Sequence, residues 1–244
     1  MFTQFLNQLY QRYNKFIGEI NHLLFPDECI ICNRETIHKS NFICHLCEPD
    51  LEYSKMEISE FDSKTKKLFW GRIPVEIGYS LLYFQKGNST QKILHNIKYE
   101  NKKKLTFEMG RKIGEKLKNT NHINEIDVLI PVPIHKNKKF ERGYNQSYLL
   151  SKGISSVTKI ETNNQLIFRK KNSKSQTRLN KFLRWENAQN TYSISTKFTN
   201  QQINHIAIID DVITTGSTIE SISQEILKTN PNIKISVISL ALAV

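Results

Sequence analysis

No run of eighteen apolar residues occurs anywhere in the 244-residue chain, so no transmembrane helix is expected. The first residues, Met1-Phe-Thr-Gln-Phe-Leu-Asn-Gln-Leu, lack the basic start and continuous apolar core of a secretory signal. Together these absences predict a cytoplasmic protein with no membrane insertion. No internal repeat is visible, so the chain reads as unique domains rather than an array. Cysteine is scarce: there are four, and all four fall within a single short segment. Acidic residues are also short in supply, 23 against 35 Lys and Arg, which gives a formal charge of +12. With 39% hydrophobic and 24% charged residues, the composition is that of a globular chain, long enough for one full domain and a small module.

The excess positive charge is unevenly placed. Lys86 to Lys118 carries ten basic and three acidic residues, and Lys136 to Arg184 carries thirteen and two. Such segments favour polyanions, either phosphorylated ligands or nucleic acid, although charge runs are usually solvated faces. At the N-terminus, Phe2, Phe5, Leu6, Leu9, Tyr13, Phe16, Ile17, Ile20 and Leu24 recur at helical spacing. We read residues 1–25 as an amphipathic helix docking on the protein's own core. Its polar face has too few Lys and Arg for a membrane-surface helix.

All four cysteines follow, as Cys29-Ile-Ile-Cys32 and Cys44-His-Leu-Cys47. Two such knuckles have the spacing of a Cys₄ zinc ribbon, each supplying two thiolates from one tight turn. Residues 26–50 are therefore expected to hold structural zinc, and the ion would contribute most of the segment's folding energy. Disulfides compete with this reading, but a chain without an export signal sits in a reducing compartment. A thioredoxin-like redox site would need one CxxC opening a helix in a βαβ context, which is not found.

Residues 51–76 read as a linker ending in an apolar cluster, Leu68-Phe-Trp-Gly-Arg-Ile-Pro74. From residue 77 to 244, strand patterns alternate with helical ones. Strands are expected at Ile77–Phe84, Asp127–Pro133, Leu166–Phe168, Ile206–Ile209 and Lys234–Val244. Helices are expected after the Gly87-Asn-Ser89 turn, through Ile93, Leu94 and Ile97 into Lys98-Tyr99, and over 103–118, 144–157 and from Ser217. Alternation of this kind predicts an α/β domain, with a parallel sheet flanked by helices and ligands at the carboxyl ends of its strands. The polar, basic stretch 169–190 is too long for a connector and reads as a lid.

Two constellations follow expected strands. The first is Asp210-Asp211-Val212-Ile213-Thr214-Thr215-Gly216-Ser217-Thr218, directly after the apolar run Ile206–Ile209. The strand is expected to end before the two carboxylates. Backbone N–H groups at the helix start, Thr and Ser hydroxyls and a permissive Gly216 suit a phosphate monoester. Carboxylates beside it suit the vicinal hydroxyls of an attached ribose. The second is Pro131-Val-Pro133 with the basic loop behind it, carrying Lys136, Lys138, Lys139 and Arg142. Cations preplaced there would stabilise a pyrophosphate leaving group. No acid or base stands out; His135 and Glu141 are weak candidates.

The first constellation resembles the phosphoribosyl pyrophosphate (PRPP) motif of type I phosphoribosyltransferases. The second, Pro-Val-Pro followed by Glu141-Arg-Gly-Tyr-Asn-Gln146, is similar to the ComF family, phosphoribosyltransferase-like proteins named for competence, the uptake of transforming DNA. The two cysteine knuckles, Phe69-Trp-Gly-Arg-Ile-Pro74, Ile93-Leu-His-Asn-Ile-Lys98-Tyr99, Ser175-Gln176-Thr177, Arg184 and Asn187 carry the resemblance over nearly the whole chain. It implies a type I phosphoribosyltransferase-like sheet preceded by a zinc ribbon, with PRPP and Mg²⁺ as ligands. It also implies that Asp210 and Asp211 hold ribose hydroxyls and Val212–Thr218 wraps the 5′-phosphate. The loop bearing Lys138, Lys139 and Arg142 would serve pyrophosphate, with Gln176 and Arg184 in a mobile hood. Two functions stay open: a phosphoribosyltransferase linked to DNA uptake, and a non-catalytic accessory protein that binds single-stranded DNA or a phosphoribosyl group alongside other competence proteins.

Overall fold

The computed structural model describes residues 6, 10, 12, 13, 28–36, 42–54, 63–120, 122–169, 191–199 and 202–244. The chain divides into two compact units, Met1–Leu51 and Glu52–Val244. In the first, Leu6, Tyr10, Arg12 and Tyr13 are helical, and Leu6 and Tyr13 of the apolar stripe are exposed. The rest of the expected N-terminal helix lies outside the described residues. Each cysteine knuckle is a tight turn. Asn33 takes φ +58° and returns its N–H to the Cys29 carbonyl at 2.8 Å, and the Cys47 N–H reaches the Cys44 carbonyl at 3.0 Å.

The second unit contains α1 (Lys64–Lys67), β1 (Gly78–Phe84), α2 (Ser89–Tyr99), α3 (Lys103–Leu117), a 3₁₀ turn (Ile123–Glu125), β2 (Val128–Pro131) and α4 (Lys136–Arg142). It continues with α5 (Gln146–Thr158), β3 (Glu161–Thr162), β4 (Ile167–Arg169), β5 (Tyr192–Ile194), α6 (Thr196–Thr199), β6 (His205–Ile213), α7 (Ser217–Thr229) and β7 (Lys234–Ala243). Five strands form a sheet in the order β1-β7-β6-β2-β3, with every pair parallel. The expected α/β architecture is therefore present. β6 and β7 are central and buried over most of their length, as a parallel sheet covered by helices requires. Where β1 buries polar groups, they satisfy one another: Ser80 lies 2.8 Å from Thr65 and 2.6 Å from Ser239, hydroxyl to hydroxyl.

The helices form where the apolar spacing places them. α3 buries Leu105, Met109, Ile113 and Leu117. α3 and α5 approach closely because each carries a glycine at the contact; a Cβ on Gly153 would lie 2.2 Å from the Phe107 carbonyl oxygen. The stretch read from sequence as a linker contains α1, capped by Ser63, and then Phe69, which is fully buried in the main apolar cluster with Ile208, Ile213 and Ile219.

Two local readings change. β6 does not stop at Ile209 but runs through both carboxylates to Ile213. The reason is asymmetric pairing. β2 ends at Pro131, opposite Ile209, whereas β7 continues alongside as far as the Ile213↔Leu242 pair. Residues 210–213 are thus extended on one side only, with their other edge open. The basic loop after β2 is also partly helical. α4 starts where the His135 ring Nδ1 accepts the Asn137 N–H at 3.2 Å and stops at Gly143, φ +72°. Of the expected lid, residues 169–190, Arg169 ends β4; residues 170–190 lie outside the described residues, so Gln176 and Arg184 are not placed. Its two flanks pair as the antiparallel ribbon β4–β5.

Candidate functional site

The open edge of β6 faces a cleft of about 210 Å³. Its floor is Asp210, Asp211 and Val212 of β6, with Thr218 of α7. One wall is the chain leaving β2, from Val132 to His135, with Lys138 and Arg142 of α4. Asn145, Gln146 and Ser147 come from the start of α5, Lys98 from the end of α2, and Arg169 and Tyr192 from the β4–β5 ribbon. A second recess adjoins it, lined by Asp210 and residues 212–219 and so built from the Thr/Gly loop itself. The two constellations named from sequence are therefore brought to one sheet edge. Lys138 and Arg142 line the cleft; Lys139 is exposed and outside its lining.

The two carboxylates have different surroundings. Asp210 Oδ1 accepts the Asp211 backbone N–H at 2.9 Å and the Ser147 hydroxyl at 3.2 Å. Burial, and then the neighbouring Asp211, push the Asp210 carboxyl up to about 7. Asp211 instead has a cation beside it: its Oδ2 lies 3.4 Å from Lys98 Nζ. Tyr192, its hydroxyl pushed up by burial, lies under the Arg169 guanidinium at 5.9 Å. Not every perturbed group marks the site. Burial pulls His205 down, but it sits at the opposite end of β6, bonded to Ser236 at 2.7 Å.

The Thr/Gly loop is braced from behind. Gly216 takes φ +75°, and a Cβ there would lie 2.6 Å from the Phe69 ring. Arg72 donates from Nη1 to the Thr215 carbonyl at 2.8 Å and from Nε to Glu220 at 3.0 Å, with Nη2 completing a forked pair to the same carboxylate. The N-cap of α7, Gly216, has no side chain to cap it; Thr214, Thr215 and Ser217 are exposed, and the Thr215 hydroxyl accepts the Ser217 N–H at 3.4 Å and lies 3.2 Å from the Ser217 hydroxyl. A helix N-terminus lined with exposed hydroxyl-bearing residues has the chemistry of an anion cradle.

Sequence reasoning missed Lys98, Ser147, Arg169 and Tyr192 as lining residues, and Arg72 and Glu220 as the brace. The signal for Arg72 was its place in the Phe-Trp-Gly-Arg run, but nothing local indicates that this run packs behind a loop 143 residues later.

In the first unit, the Sγ atoms of Cys29, Cys32, Cys44 and Cys47 all lie within 4.8 Å of one another. Ligands about 2.3 Å from one tetrahedral ion stand about 3.8 Å apart, close to the 3.7 Å between Cys32 and Cys44. The donor set therefore fits a metal ion. Without one the thiols divide. Cys29, despite burial, is lowered to about 6 by the backbone N–H groups of Cys44, Cys32 and Ile31, while burial and the neighbouring thiols push Cys47 up to about 12. A dication removes that conflict by favouring thiolate at all four positions.

Against known proteins, the chain matches competence protein F of Haemophilus influenzae at 34% identity over 111 residues, 46% of this chain and 48% of that protein. This chain is similar to ComF-type proteins. The match to competence protein F spans about half of that protein's length. A longer match, 82% of this chain and 84% of the relative at 23% identity, is to DNA utilization protein YhgH of Escherichia coli K12. No family model matches. Among solved structures, glutamine PRPP amidotransferase from Bacillus subtilis, complexed with ADP and GMP, aligns at 16% identity over 54% of this chain and 26% of that one. Its TM-score of 0.35 is too low to carry an argument.

Proposed function

We propose that the cleft binds PRPP and that the protein serves DNA uptake in the manner of a ComF-type protein. One observation carries the ligand reading: an anion cradle at the start of α7, a carboxylate pair beside it and a cationic wall opposite are assembled along a single sheet edge. The names of the relatives support the biological role.

In this reading the Thr214–Thr218 loop takes the 5′-phosphate and Asp210 and Asp211 take ribose hydroxyls. Lys138 and Arg142 face the pyrophosphate, with Lys139, Gln176 and Arg184 proposed nearby. Mg²⁺ would come with the ligand: the cleft's two carboxylates already have partners, so pyrophosphate oxygens are its natural ligands, and the ion would neutralise charge on the departing group. The chain's own residues orient C1′ and meet the developing charge. Calorimetric titration of PRPP with and without Mg²⁺ tests the reading, and a screen of acceptors for PRPP turnover tests transfer. Binding that is undetectable in both conditions contradicts it.

A second reading, single-stranded DNA along the same face, is favoured by Phe140. This ring is 92% exposed on the basic helix α4, which borders the cleft. Base stacking on such a ring, added to phosphate contacts, would give an affinity falling steeply with salt. A flat salt dependence contradicts it. For the first unit we propose a structural zinc at Cys29, Cys32, Cys44 and Cys47; purified protein should carry about one equivalent, and chelation should unfold that unit.

A further inference from the structure

Lys98 differs from the other cations of the cleft. Lys138 and Arg142 come from the exposed helix α4 and Arg169 from the β4–β5 ribbon, whereas Lys98 comes from the last turn of α2 and is ion-paired to a carboxylate of the cleft. Both members of its pair are held. Asp211 sits on β6 between residues locked to β7, Asp210↔Ser239 and Val212↔Ala241. The helix end bearing Lys98 is fixed through its neighbour: fully buried Ile97 gives its carbonyl to the Tyr144 hydroxyl at 2.7 Å, and that hydroxyl lies 2.7 Å from Thr106 Oγ1. The Glu141–Gln146 segment is thereby tied to the α2–α3 corner. The side chains of Lys98 and Asp211 are only 19% and 13% exposed.

A largely buried pair of this kind gives little net stability, because desolvation offsets the attraction. Its chemical consequence is larger. Two adjacent carboxylates repel each other and any phosphate brought near them; a fixed ammonium group cancels one charge and fixes the direction of that carboxylate. We infer that Lys98 is a positioning residue: it holds Asp211 by Oδ2 so that Oδ1 accepts a ligand's ribose hydroxyl, making the site selective for ribosyl phosphates over other phosphates. The inference rests on the phosphoribosyl reading of the cleft.

The test is calorimetry with three probes, PRPP, ribose 5-phosphate and inorganic pyrophosphate, on wild type, Lys98→Met, Lys98→Gln and Lys98→Arg, with melting temperature measured for each. If Lys98 acts through Asp211, Lys98→Met and Lys98→Gln weaken PRPP and ribose 5-phosphate by the same factor, about tenfold to a hundredfold, the range of a lost charge-assisted hydrogen bond. Pyrophosphate then changes less than about twofold, and Lys98→Arg recovers most of the loss. Weakening confined to PRPP and pyrophosphate would make Lys98 a leaving-group contact and overturn the inference. So would unchanged affinities in the Met and Gln variants. Wild type that binds neither PRPP nor ribose 5-phosphate overturns the phosphoribosyl reading and this one together, whereas a binding wild type with indifferent variants overturns this one alone.

Discussion

Two loops leave adjacent strands at the same sheet edge, and they are built in opposite ways. The loop after β6 is braced: Phe69 packs under Gly216, and Arg72 clamps Thr215 and Glu220. The segment after β2 is not. Its helix α4 has no buried residue, and Lys136, Lys138, Lys139 and Phe140 are exposed. A preformed cradle suits one phosphate of fixed position, and an exposed basic helix suits charge whose position varies. Such a division would let one end of a ligand anchor while the other end reacts or continues into a longer polyanion.

Substitutions in the two loops should therefore separate cleanly. The largest effect is expected from Phe69→Ala, which empties a fully buried site and should cost about 3–5 kcal/mol of stability, read by denaturant unfolding. Gly216→Ala should cost about 2–3 kcal/mol, from the left-handed backbone and the contact with Phe69. It should also weaken binding of phosphate esters more than tenfold, on the order of a lost charge-assisted contact. If Gly216→Ala melts like wild type, the loop is not braced as described.

Next comes the pH dependence of Asp210. Below pH 4 the folded and unfolded chains both hold its proton. Between pH 4 and about 7 only the folded chain does, so raising the pH through this window costs stability. Asp210→Asn lacks that cost. It should match or trail wild type at pH 4 and gain on it steadily as the pH rises to 7, the difference levelling off above that. A stability difference independent of pH would contradict the raised carboxyl. The smallest effect belongs to the other loop. Lys138→Ala and Lys139→Ala should change stability by less than about 0.5 kcal/mol, while Lys138→Ala, which removes a residue lining the cleft, weakens pyrophosphate binding more than Lys139→Ala does. A large stability loss in either would erase the contrast between the loops.

Much of this was legible in sequence because it is local. Apolar runs give β6 and β7, helical spacing gives α2, α3 and α5, and the paired knuckles give the thiol cluster. The Asp210–Thr218 stretch and the basic segment after Pro133 each follow a strand, so a parallel sheet puts them on one edge. What was not legible depends on partners distant in the chain. β6 outruns Ile209 because β7 continues beside it while β2 stops. Phe69 and Arg72 sit in a stretch without a strong periodic pattern, and only tertiary packing places them behind Gly216. Lys98 looks like one more solvated lysine in a basic segment until the Tyr144–Ile97 bond fixes its helix end beside Asp211.

The most direct test of the central claim is the affinity of PRPP for wild type and for Asp211→Asn in the presence of Mg²⁺. Wild type should bind it saturably, one to one, and a substitution that removes a charged acceptor should weaken that binding at least tenfold. Wild type that does not bind PRPP, or Asp211→Asn that binds it equally well, would contradict it.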